Sequence, residues 1–134
     1  MNTRGRLDGQ VAFVTAGGGG IGRAIALGLA EAGADVAVFE IVPERAKETA
    51  ARIRELGREA LAIPGDAMDA EAIRTAIAAT DARFGRLDIL VNNAGGVSGR
   101  PFLEQGERSW RRHIDLNLVS MLAATHAAAP VVIR

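Results

Sequence analysis

The sequence of 134 residues contains no cysteine and no tyrosine, and Lys47 is its only lysine. Without cysteine the chain has no disulfide framework, no thiol nucleophile and no thiolate metal site. The histidines and acidic residues show no spacing typical of metal ligands, so we expect no metal. The 16 basic and 16 acidic residues leave no net charge, which gives no electrostatic reason to expect nucleic acid or an acidic membrane as a partner.

Long apolar runs are also missing. No stretch reaches the roughly 18 uninterrupted apolar residues expected of a membrane-spanning helix. The first ten residues, MNTRGRLDGQ, contain no apolar centre of a signal peptide. The remaining composition, 49% hydrophobic, is typical of one globular domain. We therefore predict a single cytoplasmic domain that spans residues 1–134.

Apolar runs rich in β-forming residues alternate with helical patterns along the chain. Continuous apolar strands are typical of a parallel sheet that helices cover on both faces. The predicted strands are 11–15, 35–40, 60–63 and 87–91, and the predicted helices are 21–32, 43–56, 70–84 and a long one from about 107 onward. Right-handed crossovers then predict an α/β fold with a doubly wound, Rossmann-type sheet of strand order 3-2-1-4.

Four consecutive glycines, Gly17 to Gly20, separate the first predicted strand from the first helix. Backbone N–H groups at the start of a helix suit a phosphate. The spacing Gly17-x-Gly19-x-x-Gly22 matches the dinucleotide fingerprint, and Glu40 ends the second strand, where a carboxylate would bind the adenosine ribose and repel a 2′-phosphate. The alternative is a turn whose glycines only let helix and strand pack closely, which explains one or two glycines more easily than four.

These residues resemble the short-chain dehydrogenase/reductase family. The family pattern Thr-Gly-x-x-x-Gly-Ile-Gly aligns with Thr15–Gly22, and its Asn-Asn-Ala-Gly motif matches Asn92–Gly95. The family aspartate beside the adenine corresponds to Asp66, and its helix asparagine corresponds to Asn117. The resemblance implies an oxidoreductase that transfers hydride between a nicotinamide cofactor and a small carbonyl or alcohol substrate.

The resemblance also implies a set of site residues. The expected cofactor-binding residues are Gly17, Gly19, Gly20, Ile21, Gly22, Glu40, Asp66, Ala67, Asn93, Ala94 and Gly95. Asn117 is the expected catalytic residue, as support for a proton relay through water; the alternative is a kink or water site in the helix. NAD is expected rather than NADP, since NADP-using relatives often have a basic residue at the position of Gly19.

The sequence departs from the family pattern at two places. Ala16 stands where the first motif glycine is expected, so either its Cβ crowds the adenosine side or Gly17 makes the tight bend. The family's Ser and Tyr-x-x-x-Lys have no counterpart, because tyrosine is absent and Lys47 lies on the second helix. We expect a cofactor-binding half, truncated after the fourth βα unit and inactive by itself. The alternatives are a non-catalytic NAD(H)-binding module and an inactive truncated product.

The last helix carries two further expectations. Residues Leu116 to Ala129 resemble the family's subunit-contact helix and predict a homo-oligomer, although packing on its own sheet explains them equally well. Trp110 is expected to anchor this helix to the domain.

Asp88, in the fourth predicted strand, is expected to pin the loops around the Asn92–Gly95 motif.

Overall fold

The computed structural model describes residues 5–134. Residues 1–4 belong to the predicted domain 1–134 and to the first ten residues discussed above, and they lie outside the described part. Four parallel strands form one sheet: β1 Val11–Thr15, β2 Asp35–Glu40, β3 Ala60–Pro64 and β4 Ile89–Val91. Their order is β3-β2-β1-β4, which confirms the predicted topology.

The helices alternate with the strands as the sequence predicts. They are α1 Gly20–Glu31, α2 Pro43–Glu55, α3 Ala70–Phe84, α4 Glu107–Ile114 and α5 Ser120–Val132. A π-helical turn, Asp115–Val119, joins α4 to α5 in one continuous helix. The segment 96–106, between β4 and α4, contains a 3₁₀ turn, Phe102–Glu104.

Helices cover both faces of the sheet. Residues of α1 and α2, among them Ala26 and Ile53, pack against Val14 and Val38 on one face. The helices α3 and α5 cover the other face, where their buried residues surround Phe13 and Phe39. The predicted doubly wound sheet is therefore confirmed, and α5 packs on its own domain through its buried alanines.

Local chemistry fixes several helix ends. The Asp69 carboxylate accepts hydrogen bonds from the N–H groups of Glu71 and Ala72, as expected of an N-cap. The same helix ends at Gly85, whose φ of +75° suits glycine. Pro43 is the first residue of α2, where its missing N–H costs no helical hydrogen bond.

The fourth strand is shorter than the predicted 87–91. The Asp88 carboxylate accepts the N–H of Val11 at 2.8 Å, and the Asp88 N–H donates to the Val11 carbonyl at 2.9 Å. This contact lies at the amino end of β4, away from the Asn92–Gly95 motif, so the role expected of Asp88 is wrong. The hydrogen bond from the Arg86 guanidinium holds the pKa of Asp88 below its ordinary value, and the bond from Val11 acts in the same direction.

Trp110 also differs from its expected role. Its ring stacks on Phe102 with centroids 5.7 Å apart, and it remains 40% exposed. It therefore fastens the 3₁₀ turn to α4 rather than the helix to the core.

One helical segment, Glu107–Val132, is long and apolar enough to cross a membrane by length and composition. The mean hydropathy of an 18-residue window within it is 1.2, and core helices of soluble proteins meet the same criterion. Here its buried residues Ala124 and Ala128 pack against α3. The expectation of no membrane partner stays a prediction.

Candidate dinucleotide-binding site

Two cavities meet at the carboxyl ends of the strands. The larger is an open cleft of about 730 Å³ over the turn between β1 and α1. The smaller, of about 250 Å³, lies between the ends of β2 and β3. Ala16, Glu40 and Gly95 line both cavities, so the two form adjoining parts of one site. This edge is where ligands bind in open α/β sheets.

The larger cleft contains a row of free backbone donors. Within the described residues, the N–H groups from Gly19 to Gly22 have no hydrogen-bond acceptor. Their neighbours are paired: the Gly17 N–H donates to the Phe39 carbonyl at 3.1 Å, and the Arg23 N–H donates to the Gly19 carbonyl at 3.1 Å. Four successive free donors at a helix N-terminus are the arrangement that binds a phosphate or pyrophosphate.

Gly22 is required by close packing. A Cβ at this position would collide with the Ala16 carbonyl and lie 2.5 Å from Nδ2 of Asn93. The packing explanation thus holds at Gly22 and, within the run Gly17–Gly20, at Gly18, where a Cβ would meet Glu40. It does not explain the free N–H groups, which the phosphate-binding explanation does.

Ala16 makes the tight bend itself. Its φ is +52°, in the left-handed region that L-residues rarely adopt, whereas Gly17 has no positive φ. The expectation that Gly17 takes over the bend is therefore wrong. The Ala16 carbonyl accepts a hydrogen bond from Asn93 Nδ2 at 3.2 Å, which ties this bend to the segment after β4.

Glu40 lies beneath the glycine turn and is 6% exposed. One carboxylate oxygen accepts the N–H of Gly18 at 3.0 Å, and the other accepts the N–H of Val42 at 3.0 Å. A Cβ on Gly18 would lie 2.7 Å from Oε1 of Glu40, so only glycine fits here. A carboxylate has about four acceptor positions, so two remain for a ligand hydroxyl.

Thr15 is a further site residue, which was not among the residues predicted from the sequence. Its buried hydroxyl accepts the N–H groups of Asn93 and Ala94 at 3.0 and 2.9 Å. It thereby fixes the backbone of the predicted site residues Asn93 and Ala94 next to the end of β1. The sequence signal was the motif position itself, because a threonine at a strand end is otherwise an ordinary β-forming residue.

Asp66 and Ala67 line the smaller cavity, together with Ile41 and Met68. The Asp66 carboxylate accepts the N–H of Met68 at 2.9 Å, so it also stabilises a turn. Both interpretations of Asp66 are therefore compatible with its position.

Asn117 lies in the π turn and holds the loop after β4. Its Nδ2 donates to the carbonyls of Gly96 and His113 at 2.8 and 2.9 Å, and its Oδ1 accepts the N–H of Gly96 at 3.0 Å. Asn117 does not line either cavity of the site. Both donors are occupied, and one acceptor position remains.

His113 has a defined partner as well. Its Nε2 accepts the N–H of Ser98 at 2.9 Å, which links α4 to the same loop. Within residues 5–134, no group of three metal-ligating side chains lies close enough to hold a metal ion.

The sequence model of the short chain dehydrogenase family matches residues 10–134. The chain belongs to this family. It is 44% identical over 117 residues to the short chain dehydrogenase/reductase astE of Aspergillus oryzae, a match that covers 86% of this chain and 45% of that protein. The chain thus spans about half the length of the curated relatives it matches.

Solved structures of relatives share the fold. Carveol dehydrogenase from Mycobacterium avium in complex with NAD matches with a TM-score of 0.91 and 34% identity, over 96% of this chain and 51% of that one. A short chain dehydrogenase from Burkholderia cenocepacia in complex with NADP matches with a TM-score of 0.90 and 41% identity, over 94% and 52%. These relatives support a nicotinamide cofactor and an oxidoreductase family for this chain.

Proposed function

We propose that this chain binds NAD across the two cavities. We further propose that it is the cofactor-binding half of an oxidoreductase that interconverts a carbonyl and an alcohol group of a small molecule. The observation that carries the proposal is the row of four free N–H groups, Gly19 to Gly22, beside the buried Glu40 carboxylate. The donors suit the pyrophosphate, and the free acceptor positions of Glu40 suit the ribose hydroxyls. Asp66 and Ala67 would contact the adenine, and Gly17 and Asn93 to Gly95 would support the site.

The preference for NAD over NADP is part of the proposal. Glu40 carries a negative charge where a 2′-phosphate would lie, and burial reduces the screening of that charge by water. Gly19 supplies no positive charge to compensate. One solved relative holds NAD and another holds NADP, so the preference depends on residues of this chain.

Fluorescence titration of the purified chain with NADH and with NADPH tests the proposal. We expect saturable binding of NADH, with NADPH at least about tenfold weaker, a difference of about 1.4 kcal/mol. Absence of saturable binding by either nucleotide would refute the function, and equal affinities would refute the role of Glu40 in selectivity.

Catalysis forms a separate part of the proposal. When bound, the nicotinamide supplies the hydride chemistry, and we assign Asn117 to the reaction through its remaining acceptor position. The sequence has no tyrosine, so we expect these 134 residues to bind NADH without oxidising it in the presence of simple ketones. The absence of tyrosine also favours the second candidate function, a non-catalytic NAD(H)-binding module. Ketone-dependent loss of NADH absorbance would show that other residues perform the acid–base step.

The outer surface of the last helix suits a second copy of the chain. Ile114, Leu118, Met121 and Leu122 are exposed along α4, the π turn and α5. We propose that a homo-oligomer covers this surface and that the protein is cytoplasmic. Light scattering after size-exclusion chromatography tests the first statement, and cell fractionation tests the second.

A further inference from the structure

We propose that Arg23 and Thr49 are positioning residues that hold the Gly18–Gly19 peptide in the orientation that binds pyrophosphate. The inference rests on the proposed dinucleotide function and extends it to residues beneath the site. Neither residue belongs to the sequence motifs that identify the site.

Three side chains from three elements hold Gly18. Its carbonyl accepts hydrogen bonds from Arg23 Nε at 3.1 Å and from Thr49 Oγ1 at 3.3 Å. Its N–H donates to Glu40 Oε1 at 3.0 Å. Both polar groups of this glycine are therefore fixed, by α1, α2 and β2.

The direction of the Gly18 carbonyl determines the direction of the next N–H. In a planar trans peptide, the carbonyl of one residue and the N–H of the next point in opposite directions. Arg23 and Thr49 hold the Gly18 carbonyl on the side of α2. The N–H of Gly19, one of the four free donors, then points to the opposite side of the peptide, away from α2. If the peptide rotated, a carbonyl oxygen would face the phosphates in its place.

The Thr49 hydroxyl makes its hydrogen bonds only to Gly18 and Arg23 among the described residues. Thr49 is completely buried in α2, and its hydroxyl accepts the Nε–H of Arg23 at 3.0 Å. Thr80 in α3 is buried to the same degree, but its hydroxyl donates to the Ala76 carbonyl of its own helix at 2.8 Å. The same residue type thus bridges to the glycine turn in one helix and stays local in the other.

Arg23 is held in place by Glu48. The guanidinium donates from Nη2 to Oε2 of Glu48 at 3.1 Å, which leaves Nε directed at Gly18 and Thr49. Arg23 also lines the larger cleft. A lysine at this position would keep the charge but lacks the Nε–H donor.

A run of glycines has many conformations in the absence of such contacts. Fixing the turn before the ligand arrives reduces the ordering that binding requires. Losing a contact to the Gly18 carbonyl should therefore weaken ligands that contain a pyrophosphate. It should leave adenosine, which has none, unaffected.

The test compares Thr49→Val with Thr49→Ser and with the matched control Thr80→Val. Affinities for NADH, ADP-ribose and adenosine are measured by titration and by displacement of NADH, and circular dichroism verifies folding. For Thr49→Val we expect a rise of about five- to tenfold in the Kd of NADH and ADP-ribose, with adenosine unchanged. Thr49→Ser and Thr80→Val should match the wild type.

An unchanged NADH affinity in folded Thr49→Val would overturn the inference and leave the proposed function intact. Equal weakening of adenosine and NADH would also overturn it, since that pattern indicates general damage. If Thr49→Val does not fold, Arg23→Lys provides the second variant, with the same expected loss confined to pyrophosphate ligands. Failure of the wild-type chain to bind NADH would instead refute the proposed function itself.

Discussion

Replacing Ala16 with glycine should stabilise the protein. Ala16 is the one non-glycine residue of the described part with a positive φ, at +52°. An L-residue in this region costs about 1–2 kcal/mol relative to the right-handed conformation. Glycine removes that cost but raises the entropy of the unfolded chain, which returns about 0.4–1 kcal/mol. The net gain should be about 0.5–1 kcal/mol, or a rise of about 2–4 °C in Tm for a domain of this size.

Urea unfolding followed by circular dichroism measures this difference, and Ala32→Gly is the control. Ala32 has an ordinary φ of −77° and is buried, so glycine there should destabilise the protein by about 1 kcal/mol. A loss of stability in Ala16→Gly as large as that in Ala32→Gly would refute this prediction. In that case the bend at Ala16 stores no strain that glycine can relieve.

Three further substitutions test the site and its support. Gly22→Ala should abolish NADH binding in a titration, because its Cβ would displace the Ala16 carbonyl, whereas Gly28→Ala, in the same helix with open space around it, should bind normally. Glu40→Gln should weaken NADH about three- to tenfold and reduce the preference over NADPH, because it removes the charge and one acceptor for the Gly18 and Val42 N–H groups. Asp88→Asn should lower the free energy of unfolding at neutral pH by about 1.5 kcal/mol. It should also make the free energy of unfolding less dependent on pH in the acid range.

The pH dependence has a definite sign. The pKa of Asp88 is lowered in the folded protein, first by the hydrogen bond from Arg86. Its carboxylate therefore stabilises the fold above the ordinary value of about 3.9, and this contribution is lost as the pH falls through the lowered value. Identical acid unfolding curves for the wild type and Asp88→Asn would contradict this assignment. Normal NADH binding by Gly22→Ala would contradict the prediction for that position. An unchanged preference of Glu40→Gln for NADH over NADPH would contradict the role of Glu40.

The order of the elements could be predicted because the strands are continuous apolar runs and the helix ends carry local signals. Asp69 and Gly85, for example, act within a few residues of themselves in sequence. The start of β4 at Ile89 could not be predicted, since Asp88, just before it, bonds to Val11, which is distant in sequence.

The same difference between local signals and contacts distant in sequence explains which site residues could be predicted. The motif residues were found because their spacing is local, and Glu40 was found because it ends a strand. The conformation of Ala16 and the hydrogen bond of Thr49 to Gly18 depend on how α1 and α2 pack on the sheet. The alternative interpretation of Asn117 as a kink in the helix is compatible with the π turn at Asp115–Val119.

The most direct test of the central claim is an NMR titration of the ¹⁵N-labelled chain with NAD. We expect the amide signals of Gly19 to Gly22 to shift most and to saturate together, with smaller shifts at Asp66 and Ala67. Saturable shifts confined to other parts of the chain, or no shifts in Gly19 to Gly22 at saturating NAD, would contradict the claim.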